Sequence, residues 1–361
     1  MKKYDKLIFI LALILSLLSL PIIHTASWRW ASLTLNNSSY FFQHQLIYLP
    51  LAIGISFIVS AFSLDFWRKN SLLLLLISLF LLILVFIPPF GKVSRNVARW
   101  IEIGPIQIQP VEVLRFSWII FLASFLSSNS EKKRIDGARF LWIILFLLLI
   151  SIVLYFQPNM SMIVLFFLST FVILFVSKMN FKQALVMLLI ISLVFSFGIL
   201  TGEYRKERLV SNKGIPFFKT FQQEQALKAI KDGGIFGKGW GRGVLKFYIP
   251  EAYNDFLLPV IYEEGGLMAG TVILMLYFFL MLTLFNLSIK ASKTDVFSGL
   301  LSMGVLVYWC VEIILNILMN LGFLPVMGLP LPFLSFGGSS MMVNWAQVGL
   351  LMKIAILGDK K

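Results

Sequence analysis

The sequence predicts an all-α, polytopic integral membrane protein, and two properties of the chain carry this prediction. Hydrophobic residues make up 59% of the 361 residues and charged residues only 13%, whereas soluble domains carry about a quarter charged residues. Apolar runs of about 17 or more residues recur along the chain, and each can cross a hydrocarbon core about 30 Å thick. The protein therefore needs no soluble core.

We predict ten transmembrane helices in a single membrane domain, residues 1–361. No fixed-period repeat and no low-complexity linker divides the chain. The eighth apolar run is longer than a span needs, so one of its ends should project or tilt. The predicted spans lie near residues 6–23, 44–63, 71–88, 110–127, 140–156, 160–177, 182–199, 258–288, 299–321 and 339–357.

Positive charge in the connections between spans predicts the orientation. With the N-terminus in the cytoplasm, 16 Lys and Arg residues lie on the cytoplasmic side and four in the short outer connections. Both termini are then cytoplasmic and the loop at 200–257 faces outward, since long loops translocate largely regardless of charge. The cytoplasmic residues are Lys2, Lys3, Lys6, Arg68, Lys69, Lys132, Lys133, Arg134, Arg139, Lys178, Lys182, Lys290, Lys293, Lys353, Lys360 and Lys361, and the outer ones are Arg29, Lys92, Arg95 and Arg99.

The net charge of +14 and the scarcity of cysteine and histidine exclude several function classes. In a chain this apolar, positive charge indicates topology and contact with membrane lipid, and it does not indicate nucleic-acid binding. Cys310 is the single cysteine, so an intrachain disulfide is excluded. His24 and His44 are isolated and no cysteine–histidine cluster exists, so no zinc site is predicted.

The loop at 200–257 is the predicted functional centre. It holds acidic residues and a ladder of glycines interleaved with Lys238, Arg242 and Lys246. A membrane protein that concentrates polar groups in one loop is expected to act there. We predict a short amphipathic helix at 222–230, followed by an irregular path at or in the membrane surface, because glycine costs about 1 kcal/mol per residue in a helix.

Ionisable residues also enter two of the predicted spans. Glu112 and Arg115 lie one turn apart in the fourth apolar run. They either form a simple pair at the helix start, where the positive end favours Glu112, or a buried ion pair at the wall of a polar cavity. Glu263 and Glu264, at the start of the eighth span, either pair with a basic residue of the loop or take part in chemistry.

Two further connections stand out. Residues 157–159 are interpreted as a simple turn between the fifth and sixth spans. The segment 320–342 holds three prolines and four glycines, so it cannot cross lipid as a helix, and it is too apolar for a surface loop. We predict that it is re-entrant and packed against protein. Ser339 or Ser340 is expected to cap the last helix, and substrate contact is the alternative.

Four motifs, taken in order, resemble the SEDS family (shape, elongation, division and sporulation). They are QPVE at 109–112, IPEAYNDF at 249–256, EEGG at 263–266 and LPLPFLSFGGSS at 329–340. The resemblance covers essentially the whole chain, including the span count and the large outer loop between spans seven and eight. The glycine ladder GGIFGKGWGRGVLK before IPEA looks more like the FtsW branch, which serves division, than like the RodA branch.

The resemblance implies a peptidoglycan glycosyltransferase on the outer face of the bacterial cytoplasmic membrane. Its substrate would be lipid II, an undecaprenyl-pyrophosphoryl disaccharide-pentapeptide. The resemblance also implies that Asp255 is the essential acidic residue and that Arg99 and Glu112 are functional. The chain departs from the family pattern at Asn159, where the usual aspartate is missing and an ionic role is in doubt. The remaining departures are Val111, Arg115, Met327 and Phe336 in place of serine, lysine, threonine and tyrosine.

The implied reaction assigns roles to residue types. A sugar hydroxyl that attacks an anomeric carbon needs a base, and the departing pyrophosphate needs positive charge. We assign Asp255 as the general base or as the anchor of a divalent cation, Mg²⁺ or Mn²⁺, and Glu251 is the competing base. No other cofactor is expected. Substrate binding is assigned to Arg99, Glu112, Arg115, Lys238, Arg242, Lys246, Glu251 and Ser339.

Two other function classes stay open at this point. A lipid II flippase, or another transporter of lipid-linked sugars, would use the same polar cavity but needs access from both faces. A scaffold would merely hold a partner enzyme. The resemblance also implies a partner, a class B penicillin-binding protein with transpeptidase activity, and other division or elongation proteins. The ninth span, with Gly304, Trp309 and Glu312, either packs inside the bundle or docks the partner's span.

Overall fold

The computed structural model describes residues 2–87, 90–94, 97–103, 106–128, 135–200 and 220–357. These residues form a helical bundle with one small sheet, and a 3-10 turn covers Leu245–Tyr248. Helices α1 to α12 are Lys2–Leu35, Tyr40–Ala61, Leu64–Lys69, Ser71–Leu84, Pro110–Ser127, Gly137–Phe156, Met160–Val176, Phe181–Leu200, Phe221–Gly233, Leu257–Thr294, Val296–Asn320 and Gly338–Leu357. Strands β1 to β3 are Gly91–Ser94, Val97–Ile103 and Ile106–Ile108.

Every predicted span coincides with a helix, so the predicted polytopic helical membrane fold is confirmed. Helices α1, α2, α5, α6, α10 and α11 are long and apolar enough to cross a membrane, and α4, α7 and α8 are shorter apolar helices. The predicted amphipathic helix in the outer loop is α9, whose start is fixed by a capping box between Thr220 and Gln223. Parts of the predicted pattern lie outside the described residues, namely 201–219, Arg95, Lys132, Lys133, Arg134, Lys360 and Lys361.

The connection between α4 and α5 contains the sheet, which the span analysis did not predict. Its strands are antiparallel in the order β1-β2-β3, with Ile101 opposite Ile108 and Glu102 opposite Gln107. The stretch WIEIGPIQIQ alternates apolar and polar side chains, which is the period of a half-buried strand. A search for apolar runs does not detect this alternation, although it is a local signal of a strand.

Helix α1 is longer than the predicted span at 6–23, because its polar and aromatic continuation stays helical to Leu35. This continuation packs on the loop that precedes Asp255. The Arg29 guanidinium lies 4.9 Å from the centre of the Phe247 ring, and the Trp30 ring lies 5.9 Å from that of Tyr253. The outer end of α1 therefore supports the candidate site from one side.

The long helix α10 is broken at Gly266, which has a φ of 68° and a ψ of −168°. The break exposes backbone groups that a continuous helix would pair, and the glycine ladder pairs them instead. The amides of Leu267 and Met268 donate to the carbonyls of Gly234 and Ile235 at 2.9 and 3.2 Å. A Cβ at Gly266 would lie only 2.3 Å from the Ile235 carbonyl oxygen, so this contact requires glycine.

The ladder also donates to the other side of the break. The amides of Lys238 and Gly239 bond to the carbonyls of Glu263 and Glu264, each at 2.9 Å. The predicted irregular glycine path is thus present, and its backbone is paired within the protein, as a path at membrane depth requires.

Helix α11 lies inside the bundle, where it contacts α5, α7 and α10. The side chains of Trp309 and Glu312 are fully buried. A Cβ at Gly304 would lie 2.8 Å from Ile119 of α5, so the glycine permits a close approach of two helices of this chain. The interpretation that this face docks a partner is therefore wrong, and the alternative that it packs inside the bundle is confirmed.

Candidate active site

Asp255 lies in the last turn of the loop before α10, and three successive backbone carbonyls hold this turn. The Tyr253 carbonyl accepts from the amide of Phe336 at 3.1 Å, and the Asn254 carbonyl accepts from the Ser335 hydroxyl at 2.6 Å. The Asp255 carbonyl accepts from Asn316 at 3.0 Å and from Asn320 at 3.2 Å. The loop is therefore anchored to α11 and to the segment 321–337 through its backbone, and the Asp255 carboxylate takes no part in these bonds.

The carboxylate of Asp255 lies in a poorly solvated position. Its Oδ1 atom is buried and has no hydrogen-bond partner. Burial and the nearby charge of Glu251 raise the pKa of Asp255 to about 7, while the charge of Arg99 opposes this shift. Phe256 is one of the buried apolar neighbours that separate this carboxylate from water.

Glu251 has a strained backbone, with a φ of 54°. A non-glycine residue rarely adopts this conformation, and such strain is concentrated at functional sites. The structure places Glu251 close enough to Asp255 for their charges to interact. The two candidate bases therefore lie in one site, where both residues are partly exposed and the Oδ1 atom of Asp255 is buried.

Arg99 reaches this site from β2 and docks on the turn between α6 and α7. Its guanidinium donates to the carbonyls of Gln157 and Pro158, and the Gln157 amide donates to the Leu82 carbonyl at 2.8 Å. The turn at 157–159 is a helix–helix connection, as predicted, and it also positions Arg99. Asn159 is buried in that turn.

A second polar centre lies between α5, α11 and α12. Arg115 is fully buried and pairs with Glu112 at 3.0 Å and with both carboxylate oxygens of Glu312 at 3.1 Å. Its other terminal nitrogen donates to Asn344 at 2.7 Å, and its guanidinium lies 5.1 Å from the centre of the Tyr308 ring. The predicted pair of Glu112 and Arg115 exists, but it belongs to a centre with two carboxylates and one guanidinium.

The basic residues of the glycine ladder do not converge on Asp255. Lys238 is half-exposed and pairs with Asp232 at 3.0 Å, and Arg242 is exposed. Lys246 is buried, and its ammonium is paired with Glu264. The sequence expectation of one basic cluster is therefore replaced by two surface cations and one internal ion pair.

Glu263 and Glu264 hold the loop together. The Glu263 carboxylate accepts from the amides of Val244, Leu245 and Lys246 at 2.6, 2.7 and 3.0 Å. Together with the pair of Lys246 and Glu264, these bonds fix the 3-10 turn against the start of α10. Of the two interpretations left open for these glutamates, the structure supports pairing with the loop.

Ser339 lies inside the first turn of α12, because the helix already begins at Gly338. Its hydroxyl accepts from the amide of Gln109 at 3.0 Å and donates to the carbonyl of Gln107 at 3.2 Å. Ser339 thus ties α12 to the sheet between α4 and α5, and since Ser339 and Ser340 both lie inside the helix, the expectation that one of them precedes and caps it is wrong. The preceding segment is irregular and largely buried, which agrees with the prediction of a segment packed against protein.

The structure brings together Asp255, Glu251 and Arg99, and it separates them from the internal pairs of Arg115 and Lys246. Sequence reasoning missed two kinds of residue at the site. The sequence places Glu312 in the ninth span but does not reveal its pairing with Arg115, and Asn316 and Asn320 give no signal beyond being polar residues in an apolar run. Among the described residues, no group of three or more His, Cys, Asp or Glu is arranged to hold a metal ion.

Comparisons with known proteins agree on one family. The profile of the family described as "Cell cycle protein" matches residues 5–358. A Coxiella burnetii protein named "Probable peptidoglycan glycosyltransferase FtsW" is 31% identical over 98% of this chain and 96% of its own length. Stage V sporulation protein E of Bacillus subtilis is 31% identical over 97% of this chain and 96% of its own length.

Solved structures share the fold. Rod shape determining protein RodA of Thermus thermophilus matches with a TM-score of 0.71 over 96% of this chain and 95% of that chain. A chain from a peptidoglycan synthase complex that coordinates polymerization and crosslinking matches with a TM-score of 0.78 over 98% of each chain. Both are 22% identical to this chain, so the likeness shows a shared fold and nothing further.

The buried centre of Arg115 generates a prediction about stability. We expect Arg115→Leu to lower the free energy of unfolding by about 3–5 kcal/mol, because it leaves two buried carboxylates without their cation. Thermal unfolding of the purified protein in detergent measures this change. The double variant Arg115→Leu with Glu312→Leu should recover part of the loss, since one uncompensated charge is gone. A single variant as stable as the parent would contradict this account of the centre.

Proposed function

Because the chain belongs to the cell cycle protein family of FtsW, RodA and SpoVE, we propose that it is a peptidoglycan glycosyltransferase of the FtsW type. It polymerises lipid II into glycan strands for cell division or cell-shape maintenance. The curated relatives with matching length carry this activity in their names. The single observation in the structure that carries the chemistry is Asp255, a carboxylate with a buried, unpartnered oxygen beside Arg99 and Glu251.

Asp255 acts as the general base in this proposal. The acceptor sugar hydroxyl gives its proton to the carboxylate while its oxygen forms a bond to the anomeric carbon of the donor. The bond from that carbon to the pyrophosphate breaks, and undecaprenyl pyrophosphate leaves with the bonding electrons. A base with a pKa near the working pH combines deprotonation at neutral pH with useful proton affinity.

The positive groups divide into two roles. Arg99, which acts on the charge of Asp255, is placed to stabilise the departing pyrophosphate, and the exposed Lys238 and Arg242 attract the anionic head group. Arg115 and Lys246 are engaged with buried carboxylates, so they contribute by shaping the site. We assign the same supporting role to Glu112 and Ser339, whose polar atoms contact protein groups.

A divalent cation, Mg²⁺ or Mn²⁺, fits the donor set at Asp255. The buried Oδ1 has no protein partner, and a second carboxylate, Glu251, lies nearby. Two oxygen ligands of this kind suit a hard cation that keeps several waters. Such an ion, when bound, would lower the pKa of a coordinated hydroxyl. Asp255 and Glu251 are the residues that would hold it.

The assay that tests the polymerase function also tests the alternative of a flippase. Purified protein in liposomes receives labelled lipid II, and the products are separated by size. Glycan chains indicate a polymerase, whereas movement of the label between leaflets without polymer indicates a transporter. The outward clustering of Asp255, Glu251 and Arg99 favours the polymerase, since a transporter needs polar access from both faces.

The proposed base generates a prediction about rate. Asp255→Asn keeps the size of the side chain and removes the base, so the rate of chain formation should fall about 100- to 10,000-fold. Gel analysis of labelled glycan strands measures this rate. Glu251→Gln, measured in parallel, tests the competing base, and a loss as large as that expected for Asp255→Asn would assign the role of base to Glu251 instead. Near-normal turnover by Asp255→Asn would transfer the role of base to another residue.

The pH dependence tests the same residue in a different way. A base must be deprotonated to act, so the rate should rise with pH and reach half its plateau near pH 7. The Glu251→Gln variant should move this midpoint to lower pH, because the charge of Glu251 raises the pKa of Asp255. An unchanged midpoint in that variant would show that another group controls the rate.

The proposal places both termini in the cytoplasm and the site on the outer face of the bacterial cytoplasmic membrane. In a Cys310→Ser background, a cysteine at the half-exposed position Lys238 should react with a membrane-impermeant maleimide on intact spheroplasts. A cysteine at Lys293, at the other end of α10, should react only after permeabilisation. The reverse pattern of labelling would invert the topology.

We also propose that a class B penicillin-binding protein, a transpeptidase, works with this chain, together with other division or elongation proteins. The structural likeness to a chain of a peptidoglycan synthase complex supports such a pairing. A partner that orders the outer loop would raise activity by shifting the population of the competent state, without adding a catalytic group.

The partner generates a prediction about activation. The purified chain should have low polymerase activity alone and be stimulated by its cognate transpeptidase. The transpeptidase with its active-site serine replaced by alanine should stimulate equally well, because ordering the loop needs only its presence. Polymerisation rates at saturating lipid II measure the effect. Equal rates with and without the partner would rule out activation.

A further inference from the structure

One face of α11 carries a row of buried polar side chains that ends at Asp255. Glu312, Asn316 and Asn320 follow one another at intervals of four residues, so they lie on the same side of the helix. All three are fully buried. Glu312 is tied to Arg115 at one end of this row, and both asparagines donate to the backbone carbonyl of Asp255 at the other.

The amide of Asn316 bridges two separate parts of the site. Its nitrogen donates to the carbonyl of Asp255 at 3.0 Å and to the carbonyl of Leu329 at 2.7 Å. Leu329 follows Gly328, and a Cβ at Gly328 would lie 3.5 Å from Oδ2 of Asp255. One side-chain amide therefore sets the spacing between the Asp255 peptide and the backbone against which its carboxylate rests.

Asn320 supports the same arrangement from the next turn. Its amide nitrogen contacts the Asp255 carbonyl at 3.2 Å and the Asn316 side-chain oxygen at 2.9 Å. The second bond orients the Asn316 amide, so that its nitrogen faces the two carbonyls. The end of α11 is in turn held by Gln223 of α9, which donates to the carbonyls of Met319 and Leu324 at 2.9 and 2.7 Å.

Asp255 needs such support because no helix fixes its backbone. It precedes α10 and lies in a turn whose neighbour Glu251 is strained. A misplacement of about 1 Å in a reacting group can cost about 100-fold in rate. Buried asparagines also serve as plain structural anchors, but both of these donate to the peptide of the proposed base, and Asn316 also donates to Leu329, next to Gly328.

We propose that Asn316, oriented by Asn320, is a positioning residue that holds the Asp255 peptide and the Gly328 segment at the separation needed for proton transfer. This inference rests on the proposed role of Asp255. It adds a function for the polar face of α11, which would otherwise be only part of the bundle interior.

The test compares Asn316→Leu with a matched control in the full-length protein. Asn316→Leu keeps the volume and removes both donated bonds. The control is Gln183→Leu, because Gln183 is also buried and donates to a backbone carbonyl, that of Ile135, at the opposite end of the bundle. Both variants lose a buried amide, so both should lose thermal stability. Initial rates with labelled lipid II, measured per folded molecule with the cognate transpeptidase present, give kcat and KM.

We expect Asn316→Leu to lower kcat about 10- to 100-fold with KM within about twofold of the parent, and Gln183→Leu to leave both near the parent values. A merely structural loss would lower the fraction of folded protein and leave kcat per folded molecule unchanged, so the separation of kcat from KM distinguishes the positioning role.

Asn320→Leu gives a second variant if Asn316→Leu fails to fold. It removes the longer bond to Asp255 together with a buried side-chain oxygen that has no partner, so it should fold well. We expect a smaller loss of kcat with KM near the parent value. Values of kcat and KM like those of Gln183→Leu in the folded asparagine variants would overturn the inference.

Asp255→Asn, measured in the same series, separates the two proposals. If it is inactive while the asparagine variants behave like the control, only the positioning role is wrong. If Asp255→Asn polymerises at the parent rate, the role of Asp255 is wrong, and the inference about Asn316 falls with it.

Discussion

The structure depends on one constraint: backbone polar groups at membrane depth must be paired within the protein. The break at Gly266 violates helical pairing in α10, and the glycine ladder restores it from outside the helix. A Cβ at Gly233, Gly237 or Gly266 would lie 1.8, 2.1 or 2.3 Å from a backbone oxygen across this contact, so these three positions require glycine. The break and the ladder together hold a polar outer loop against the start of α10, two residues after Asp255.

The same constraint applies to buried charge. Five ionisable side chains are buried where each charge would be costly without a partner. Arg115 pairs with Glu112 and Glu312, and Lys246 pairs with Glu264. Their pairing fixes the relative positions of α5, α11, α10 and the loop. Arg115 and Lys246, which the sequence analysis assigned to substrate binding, are thus engaged inside the protein, while Asp255, Arg99 and Glu251 lie together in the candidate site.

Asp255 illustrates how an environment prepares a residue for chemistry. Its backbone is over-determined by donors from Asn316, Asn320 and the segment around Ser335, whereas its carboxylate oxygen Oδ1 has no partner. A carboxylate whose peptide is held in place and whose oxygen has no partner is suited to accept a proton from a bound substrate. The raised pKa of this residue follows from the same desolvation.

The sequence by itself determined the class of protein, the ten apolar runs and the family, and it singled out Asp255 as a candidate, because each of these depends on local composition or on short motifs. The sheet between α4 and α5 was not predicted, although the alternation in WIEIGPIQIQ is typical of a strand. Only the tertiary structure decided that Glu312 completes the centre of Arg115, which lies 197 residues away. It likewise decided that Lys246 is internal and that Asn316 and Asn320 hold Asp255. Such contacts join residues far apart in the chain, and a polar residue in an apolar run does not reveal its partner until the helices pack.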